Sequence, residues 1–531
     1  MNQRAIIQII LAVIGIPVLI TVGIWTATDP MYAGGAVVLV VGTAVIIQLG
    51  RRIWLLIPFF AAFTGPVNFL PGGFAPRDLV VGVVAVVLPS LWVMKRFPLR
   101  VRFGMIEFAL FLVLMMLGQA FLRNPTGLAV IGSDSVGGRP YFEIAVSVVA
   151  FVILSTQLVS LKNVRLMVLA SFAGYMIIAC LDTLMVLIPP LALYAAPFYL
   201  TASARGAYAS YSETYVAVDQ VQDAGRIRFL RAFSIPIMTL VLAFRHPLQL
   251  LQPRNIGFLL LASFAGICML LSGFRSGIAY LGLLGIAAML LNRKPLHIVM
   301  TLILSITLLS TLLVLQGSAF SLPLPAKRAL SFLPGAWDSR VTSDAEGSSE
   351  WRWEMWETAL TSEHYIRNKW VGDGYGFTAE ELAYQGSLGE GGTAANTLQE
   401  YFLMTGTYHS GPVEAIKRIG YIGLFILFVV MCIFVKEAIA MVNRTRGTPY
   451  FPYAMFVALP LVVHPVMFFL IYGAFKGGLI TLLIGGGGLR LIGNSLEEWK
   501  RQQALQGESG SGGEKTTGEN RRRLIGVPAS Q

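Results

Sequence analysis

Charged residues are scarce in this sequence. Only 13% of its 531 residues are Asp, Glu, Lys or Arg, whereas 55% are hydrophobic and the mean hydropathy is +0.69. Soluble domains carry about 25% charged residues, so this composition excludes an ordinary soluble protein. The apolar residues form repeated runs of about the 20 residues that a helix needs to cross the hydrocarbon core. The sequence therefore predicts an integral membrane protein.

Motifs for nucleotides and metals are also missing. The chain contains no Walker loop, no dinucleotide glycine fingerprint, no HExxH, no GxSxG and no Cys/His spacing of a metal site. Its three cysteines, Cys180, Cys268 and Cys432, lie in apolar runs, where a packing role is expected. These absences argue against ATP coupling, and we expect neither a metal nor another cofactor. The net charge of +12 fits basic loops beside a membrane and does not indicate nucleic acid as a partner.

Hydrophobic windows and basic residues together predict the topology. Lys and Arg concentrate in alternate connections, which the positive-inside rule assigns to the cytoplasm. We therefore expect an all-α polytopic membrane protein with about 14 transmembrane helices, in a range of roughly 12 to 14, and with both termini in the cytoplasm. The windows fall at residues 5–25, 33–49, 53–70, 78–94, 104–122, 141–160, 164–188, 229–244, 255–272, 276–291, 297–316, 413–435, 452–472 and 475–492.

The same topology leaves two long loops on the outer, periplasmic face. The larger loop contains EWRWEMWETAL, in which Trp353, Trp356 and Leu360 follow helical spacing. This pattern indicates a helix, either at the membrane interface or in a small packed subdomain. The predicted segments are 1–188 (N-terminal transmembrane helices), 189–228 (first outer loop), 229–316 (central transmembrane helices), 317–412 (large outer loop), 413–492 (C-terminal transmembrane helices) and 493–531 (a cytoplasmic tail, disordered because it has few apolar residues).

Histidine is rare, and the predicted topology sorts the five histidines of the chain. His246 and His297 lie in cytoplasmic turns, His464 lies within a span, and only His364 and His409 face outward. His409 is nearest to the outer membrane surface. An imidazole with an ordinary pKa of about 6.5 can take a proton from a hydroxyl at neutral pH. His409 is therefore a candidate general base, with an ordinary loop histidine as the alternative.

Arginines also lie on the outer face, where the positive-inside rule does not place them. Arg275 occupies the tight turn SGFRSG, and Arg226, Arg228 and Arg231 precede or begin the window at 229–244. An arginine near the membrane centre costs roughly 2.5 to 3.5 kcal/mol, so it usually has a partner or a function. Its planar fork suits phosphate or carboxylate oxygens, although each arginine could instead extend to the interface without a ligand. Together with His409, these residues predict a base beside an anion clamp.

Four short stretches between residues 226 and 430 carry a resemblance to one family. In chain order they are RFLRAFSIP, LLSGFRSGIAYLGLLGIAAML, SSEWRWEMWETAL with the WVGDGYGF that follows it, and TYHSGPVEAIKRIGYIGLF. They are similar to motifs of the O-antigen ligase and Wzy-type polymerase superfamily of polytopic bacterial glycosyltransferases. Phe274 stands where that family has a serine, Ser410 where it usually has an asparagine, and Arg418 where it has an acidic residue.

The resemblance implies a role for each matching residue. Arg228 and Arg275, with Arg231 beside them, would bind the pyrophosphate of a polyprenyl-linked donor, and His409 would activate the acceptor hydroxyl. Further candidates for a supporting role are Glu414, Arg352, Lys417 and Arg418.

The implied function is a metal-independent, inverting transfer of a glycan. The donor would be a glycan on polyprenyl (undecaprenyl) pyrophosphate, the acceptor either lipid A core or another glycan chain, and the location the periplasmic face of the bacterial cytoplasmic membrane. Membrane lipid and proteins of polysaccharide export or chain-length control are the further partners expected. Two alternatives stay open: a polysaccharide or lipid-linked oligosaccharide flippase, and an inactive relative that serves as an export scaffold.

Overall fold

Helices are the main secondary structure of the part of the protein that the structure describes. The structure is a computed structural model that describes residues 30–68, 73–93, 103–125, 136–196, 198–199, 201, 226–316, 318–335, 337–376 and 394–511. Within these ranges there is no β-strand, which confirms the predicted all-α class. The helices are α1 (Pro30–Leu49), α2 (Leu56–Phe60), α3 (Pro76–Val93), α4 (Met105–Arg123), α5 (Gly138–Ser155), α6 (Leu161–Leu187), α7 (Pro189–Ala195), α8 (Arg228–Phe244), α9 (Pro247–Leu250), α10 (Ile256–Leu271), α11 (Arg275–Leu291), α12 (Pro295–Leu315), α13 (Leu324–Leu330), α14 (Ser339–Thr361), α15 (Ala394–Thr405), α16 (Gly411–Thr445), α17 (Phe451–Val466) and α18 (Phe475–Ser511).

The described residues include nine helical stretches that are long and apolar enough to cross a membrane. The protein is therefore a multi-pass membrane protein. Helix α12 is the most apolar of them and has no buried residue, which fits a helix that faces lipid on most sides. The apolar window at 5–25 lies outside the described residues.

The window at 53–70 does not form the long helix that was predicted there. A 3-10 helix at Gly50–Leu55 continues into α2, and the regular helix ends at Phe60. The sequence Thr64-Gly65-Pro66 interrupts the second half of the window, and a proline lacks the amide that a helix needs. The window is apolar, as the sequence indicates, but hydropathy does not reveal where a helix within it ends.

The predicted disordered tail from residue 493 is wrong for its first part, because α18 continues to Ser511. Residues 493–506 contain good helix formers, and the side chain of Gln502 donates to Glu498 one turn earlier at 3.1 Å. The Trp499 ring also packs against Tyr450 with a centroid distance of 6.0 Å. Residues 512–531 lie outside the described part of the chain.

The core lies where α5, α16, α17 and α18 pack together. Four consecutive glycines in α18 allow neighbouring helices to approach closely. A Cβ at Gly486 would lie 2.6 Å from Phe434 on α16, and a Cβ at Gly487 would lie 2.9 Å from Leu154 on α5. Such small residues promote helix contact in membranes, where packing takes over from the hydrophobic effect.

Helix α16 is broken at Gly420, which has φ +72° and ψ −179°. Residues 369–374 of the preceding segment supply the backbone partners that the break removes. Two carbonyls and two amides of α16 are satisfied in this way. The bonds run from Asp373 N to Lys417 O (2.6 Å), from Gly374 N to Arg418 O (3.2 Å), from Tyr421 N to Lys369 O (2.8 Å) and from Ile422 N to Trp370 O (3.2 Å).

Glycine is required on both sides of this joint. Gly372 has φ +76°, and a Cβ there would lie 2.4 Å from the amide of Ile419. A Cβ at Gly420 would lie 2.2 Å from the carbonyl carbon of Trp370. Backbone passes directly over backbone, so two of the sequence motifs form one joint that fixes the segment carrying His409.

Candidate functional site

His409 lies between α15 and α16 in a constrained backbone conformation. Its φ is +55°, in the left-handed region that a residue with a side chain seldom adopts. The preceding carbonyl, that of Tyr408, accepts a hydrogen bond from Trp356 Nε1 at 2.7 Å. Three rings surround the imidazole, namely Phe402, Trp351 and Tyr472, with centroid distances of 4.9, 6.5 and 5.8 Å. The predicted helix of the 317–412 segment, α14, thus supplies one wall of this site.

Tyr472 is the polar side chain in contact with His409. Its hydroxyl lies 3.4 Å from His409 Nδ1, and the two rings are inclined by 23°. Tyr472 follows a π-helical turn at Met467–Ile471, a feature common at functional sites. Gly473 and Gly411 bring the two backbones together, since a Cβ at Gly473 would lie 3.0 Å from the Cα of Gly411.

Sequence reasoning missed Tyr472. The residue is the last of the apolar window 452–472, and its contact with His409 spans 63 positions of the chain. Only its place at the end of a predicted span, before the short connection Gly473-Ala474, marked it in the sequence.

An arginine cluster, defined as Arg226, Arg228 and Arg231, lies at the start of α8. The guanidinium groups of Arg226 and Arg231 both lie over the ring of Phe274, at 5.3 and 5.1 Å from its centroid. This ring holds two like charges in one place through cation–π contacts. The family that the sequence resembles has a serine at this position. The phenylalanine here instead provides a ring that both guanidinium groups contact.

A cavity of about 440 Å³ is lined by Arg228 and Arg231. Phe274 closes one side, and Asp182 and Thr201 add polar groups. Arg275 is the first residue of α11, directly after Phe274, but it is not among the residues that line this cavity. The structure thus brings two of the three predicted donor-binding arginines to one cavity.

Positive charge acts on His409 from two elements. Burial, followed by the charges of Arg352 on α14 and Arg226 in the arginine cluster, lowers the pKa of His409 to about 4. Burial also lowers the pKa of Arg352. The imidazole is therefore neutral at neutral pH and has a lone pair for a proton.

A larger cavity of about 840 Å³ adjoins the smaller one, since both are lined by Thr64, Tyr175 and Pro236. Its walls are mostly apolar and come mainly from α5, α6, α8, α17 and α18, with one residue each from α2, α3 and α11. It follows α18 from Lys476 to Gly488, which corresponds to about 18 Å of helix. The arrangement is a long apolar space beside a basic one.

Buried ion pairs lie at one end of the larger cavity, around Glu143. Its carboxylate contacts Arg139 at 3.0 Å, Lys476 at 3.1 Å and Arg77 at 3.4 Å, and Arg77 also contacts Asp78 at 3.2 Å. The basic residues are second in α5, α18 and α3, so the cluster lies at helix ends. Sequence reasoning missed this cluster, although charges at the starts of several apolar windows were its signal.

Lys417 and Arg418 lie away from the cavities and contact backbone carbonyls. Lys417 Nζ donates to Tyr365 O at 2.8 Å and to Met404 O at 3.2 Å. Arg418 donates to Gly374 O at 3.0 Å and to Thr405 O at 2.6 Å. These contacts fasten the 317–412 segment to α16.

Glu414 also joins elements. Its Oε2 accepts a hydrogen bond from the amide of Phe475 at 2.7 Å, which ties α16 to the start of α18. Glu414 therefore supports the connection that carries Tyr472, and no hydrogen bond to His409 is among its contacts in the described structure.

Groups that could bind a metal ion are not found among the described residues, where no cluster of three or more His, Cys, Asp or Glu occurs. Comparison with known proteins does not assign the site either, because no known family and no curated protein matches the chain. The geometry of His409, the arginine cluster and the two cavities is therefore the basis for a functional assignment.

Proposed function

We propose that this protein is a membrane glycosyltransferase that moves a glycan from polyprenyl pyrophosphate to an acceptor hydroxyl. The observation that carries the proposal is the neutral base His409 near an arginine-lined cavity that adjoins a long apolar cavity. One ligand fits both cavities: an amphiphile with an anionic head and an apolar chain. The resemblance in sequence to O-antigen ligases and polymerases supports the same assignment.

The arginine cluster suits the head of such a donor. Arg228 and Arg231 border the smaller cavity, and planar guanidinium groups bind phosphate oxygens through paired hydrogen bonds. Phe274 keeps Arg226 and Arg231 together before the anion arrives, so less ordering is needed on binding. Arg275, which directly follows Phe274 and begins α11, extends the positive charge of this region.

The proposed chemistry needs one base and one charge clamp. His409 takes the proton of the acceptor hydroxyl while the acceptor oxygen forms a bond to the anomeric carbon. The bond from that carbon to the pyrophosphate oxygen breaks on the opposite face, so the configuration inverts. The guanidinium groups hold the departing pyrophosphate and neutralise its charge.

We place the site on the periplasmic face of the bacterial cytoplasmic membrane, in a bundle of about 14 spans with both termini in the cytoplasm. The basic residues of the alternate connections support this orientation. The acceptor is lipid A core for a ligase or a glycan end for a polymerase.

A lipid-linked oligosaccharide flippase is the second candidate, because the buried ions around Glu143 lie inside the helix bundle. Transporters usually place such groups on broken helices near the membrane midplane. Here the basic partners stand at helix ends, which favours the enzyme.

The test is glycan transfer in vesicles that contain the purified protein and a defined polyprenyl pyrophosphate donor. We expect His409→Ala to lower the transfer rate by about 10² to 10⁴, the usual contribution of a positioned base. His364→Ala is the matched control, since this exposed histidine lies in the same segment, and its rate should stay unchanged. A transfer rate equal to that of the wild type in a folded His409→Ala protein would contradict the assignment of His409 as the general base. Donor flipping without any transfer would favour the flippase, and neither activity would favour a scaffold.

A further inference from the structure

The contact between Tyr472 and His409 determines which ring nitrogen carries a proton. A neutral imidazole has one N–H and one lone pair, and the partner of one nitrogen fixes the state of the other. The Tyr472 hydroxyl lies beside Nδ1, whereas no described residue forms a hydrogen bond with Nε2. Nε2 is thus the nitrogen available to an acceptor, and Tyr472 acts on it through the ring.

The surroundings of the Tyr472 hydroxyl are rich in donors. The charges that act on it come from Arg231, Arg352 and Arg226, with Glu414 acting in the opposite direction. Guanidinium groups have donors only. Their positive charge orients the hydroxyl dipole, with the oxygen lone pairs toward the guanidinium groups and the proton toward the hydrogen-bond partner of the hydroxyl, His409 Nδ1. In this state Nε2 holds the ring proton and cannot act as a base.

We propose that Tyr472 is a positioning residue that changes the tautomer of His409 when an anion fills the arginine cluster. Anion oxygens accept the guanidinium N–H groups and also the Tyr472 O–H. The freed tyrosine oxygen then accepts a hydrogen bond from Nδ1–H, and the lone pair moves to Nε2. The ring keeps one proton throughout, since water takes the proton from Nε2 and water also delivers one to Nδ1, while the tyrosine keeps its own.

The consequence for catalysis is an ordered reaction, and this part depends on the proposed function. His409 becomes a base on the acceptor side only after the donor pyrophosphate is bound. Without a bound donor, His409 would not deprotonate an acceptor hydroxyl. The tautomer change itself does not depend on glycosyl transfer, so it can be measured separately.

The experiment is nitrogen-15 NMR of the full chain in lipid nanodiscs, with all histidines labelled and His409 identified by its absence in His409→Gln. Because the pKa of His409 is about 4, spectra at neutral pH report the tautomer and not the charge. Addition of inorganic pyrophosphate should convert the Nδ1 signal from the lone-pair type to the N–H type. We expect a change in the tautomer ratio of about tenfold or more, the effect of one hydrogen bond to a charged group.

The variants separate Tyr472 from a general effect of the anion. In Tyr472→Phe, pyrophosphate should still bind, but the tautomer ratio should not change. Tyr421→Phe is the control, since this tyrosine packs on Trp370 at a ring distance of 5.8 Å and should switch like the wild type.

Two results would overturn the proposal: a wild-type tautomer that stays unchanged at saturating pyrophosphate, or a switch that persists in Tyr472→Phe. The pyrophosphate titration of the wild type tests the proposal even if Tyr472→Phe does not fold. A tautomer switch in a protein without transferase activity would leave this proposal standing and would remove the proposed function.

Discussion

Arg352 shows how a single side chain can shift the pKa of a histidine. It lies on α14, and its charge is the largest electrostatic contribution that lowers the pKa of His409, second only to burial. A nearby cation disfavours the protonated imidazole, so the base stays neutral to a lower pH than an ordinary histidine. Sequence reasoning had only grouped Arg352 with supporting candidates, because its distance from His409 in the chain hides this electrostatic effect.

The prediction concerns the acid limb of the pH–rate profile. For wild type, kcat/KM for the donor should not fall through loss of His409 until the pH approaches about 4, the pKa of the free site. Arg352→Gln removes a cation, so the pKa should rise and the limb should move to higher pH. Arg367→Gln is the control, as this exposed arginine lies in the same segment. A wild-type limb near 6.5, the ordinary histidine value, would contradict the electrostatic account.

Residue types could be predicted where chemistry alone selects them. His409, Arg228 and Arg231 were chosen from the sequence as rare ionisable groups on one predicted face, and the structure places them in one region. Charge alone could not separate these from Lys417 and Arg418. The latter two contact backbone carbonyls of residues 365–405, and only the folded backbone brings those carbonyls to α16.

At the level of elements, the joint between residues 369–374 and α16 gives the site its rigidity. It explains why a glycine-rich turn and a glycine in a transmembrane helix both occur in the sequence, since neither can carry a Cβ. The apolar windows located most helices to within a few residues. They did not predict the joint, because a break inside an apolar helix changes hydropathy very little.

Gly420→Ala should therefore destabilise the protein strongly. The new Cβ would meet the backbone of Trp370, and an alanine at positive φ is strained, so we expect a loss of about 3 kcal/mol or more in the free energy of unfolding. Gly447→Ala is the matched control: it has a similar φ of +75° but open space around it. Its cost should be about 1 kcal/mol, from backbone strain alone. Thermal unfolding in detergent compares the two, and equal losses would show that the joint contributes nothing.

At the scale of the whole molecule, a close glycine contact and prolines within helices lie around the two adjoining cavities. Gly174 lets α6 approach α2, where a Cβ would lie 1.9 Å from Phe59 O. Proline at position 236 in α8 and at position 460 in α17 borders the larger cavity and removes helix hydrogen bonds beside it. No sequence window could predict this space, since residues of eight helices from distant parts of the chain line it.

The size of the larger cavity leads to a prediction about the donor. Thr481 lines it, and its hydroxyl donates only to Gly477 O of its own helix, at 2.9 Å. Thr481→Trp should fill part of the space and lower the use of a full-length polyprenyl donor by about tenfold or more, the effect of roughly 1.4 kcal/mol of lost binding. A donor with a short prenyl chain and the same pyrophosphate head does not need that space and should be used as well as by the wild type.

The control for this substitution is Thr311→Trp on α12. Thr311 also donates to its own helix, to Thr307 O at 2.8 Å, and it is exposed like Thr481, but it lines neither of the two cavities. Both donors should be used normally by this variant, because the new ring faces lipid. Equal loss of the short and the long donor in Thr481→Trp would instead indicate damage to the arginine cluster or to the fold. A selective loss of the long donor is the result that assigns the apolar cavity to the lipid chain, because only chain length differs between the two substrates.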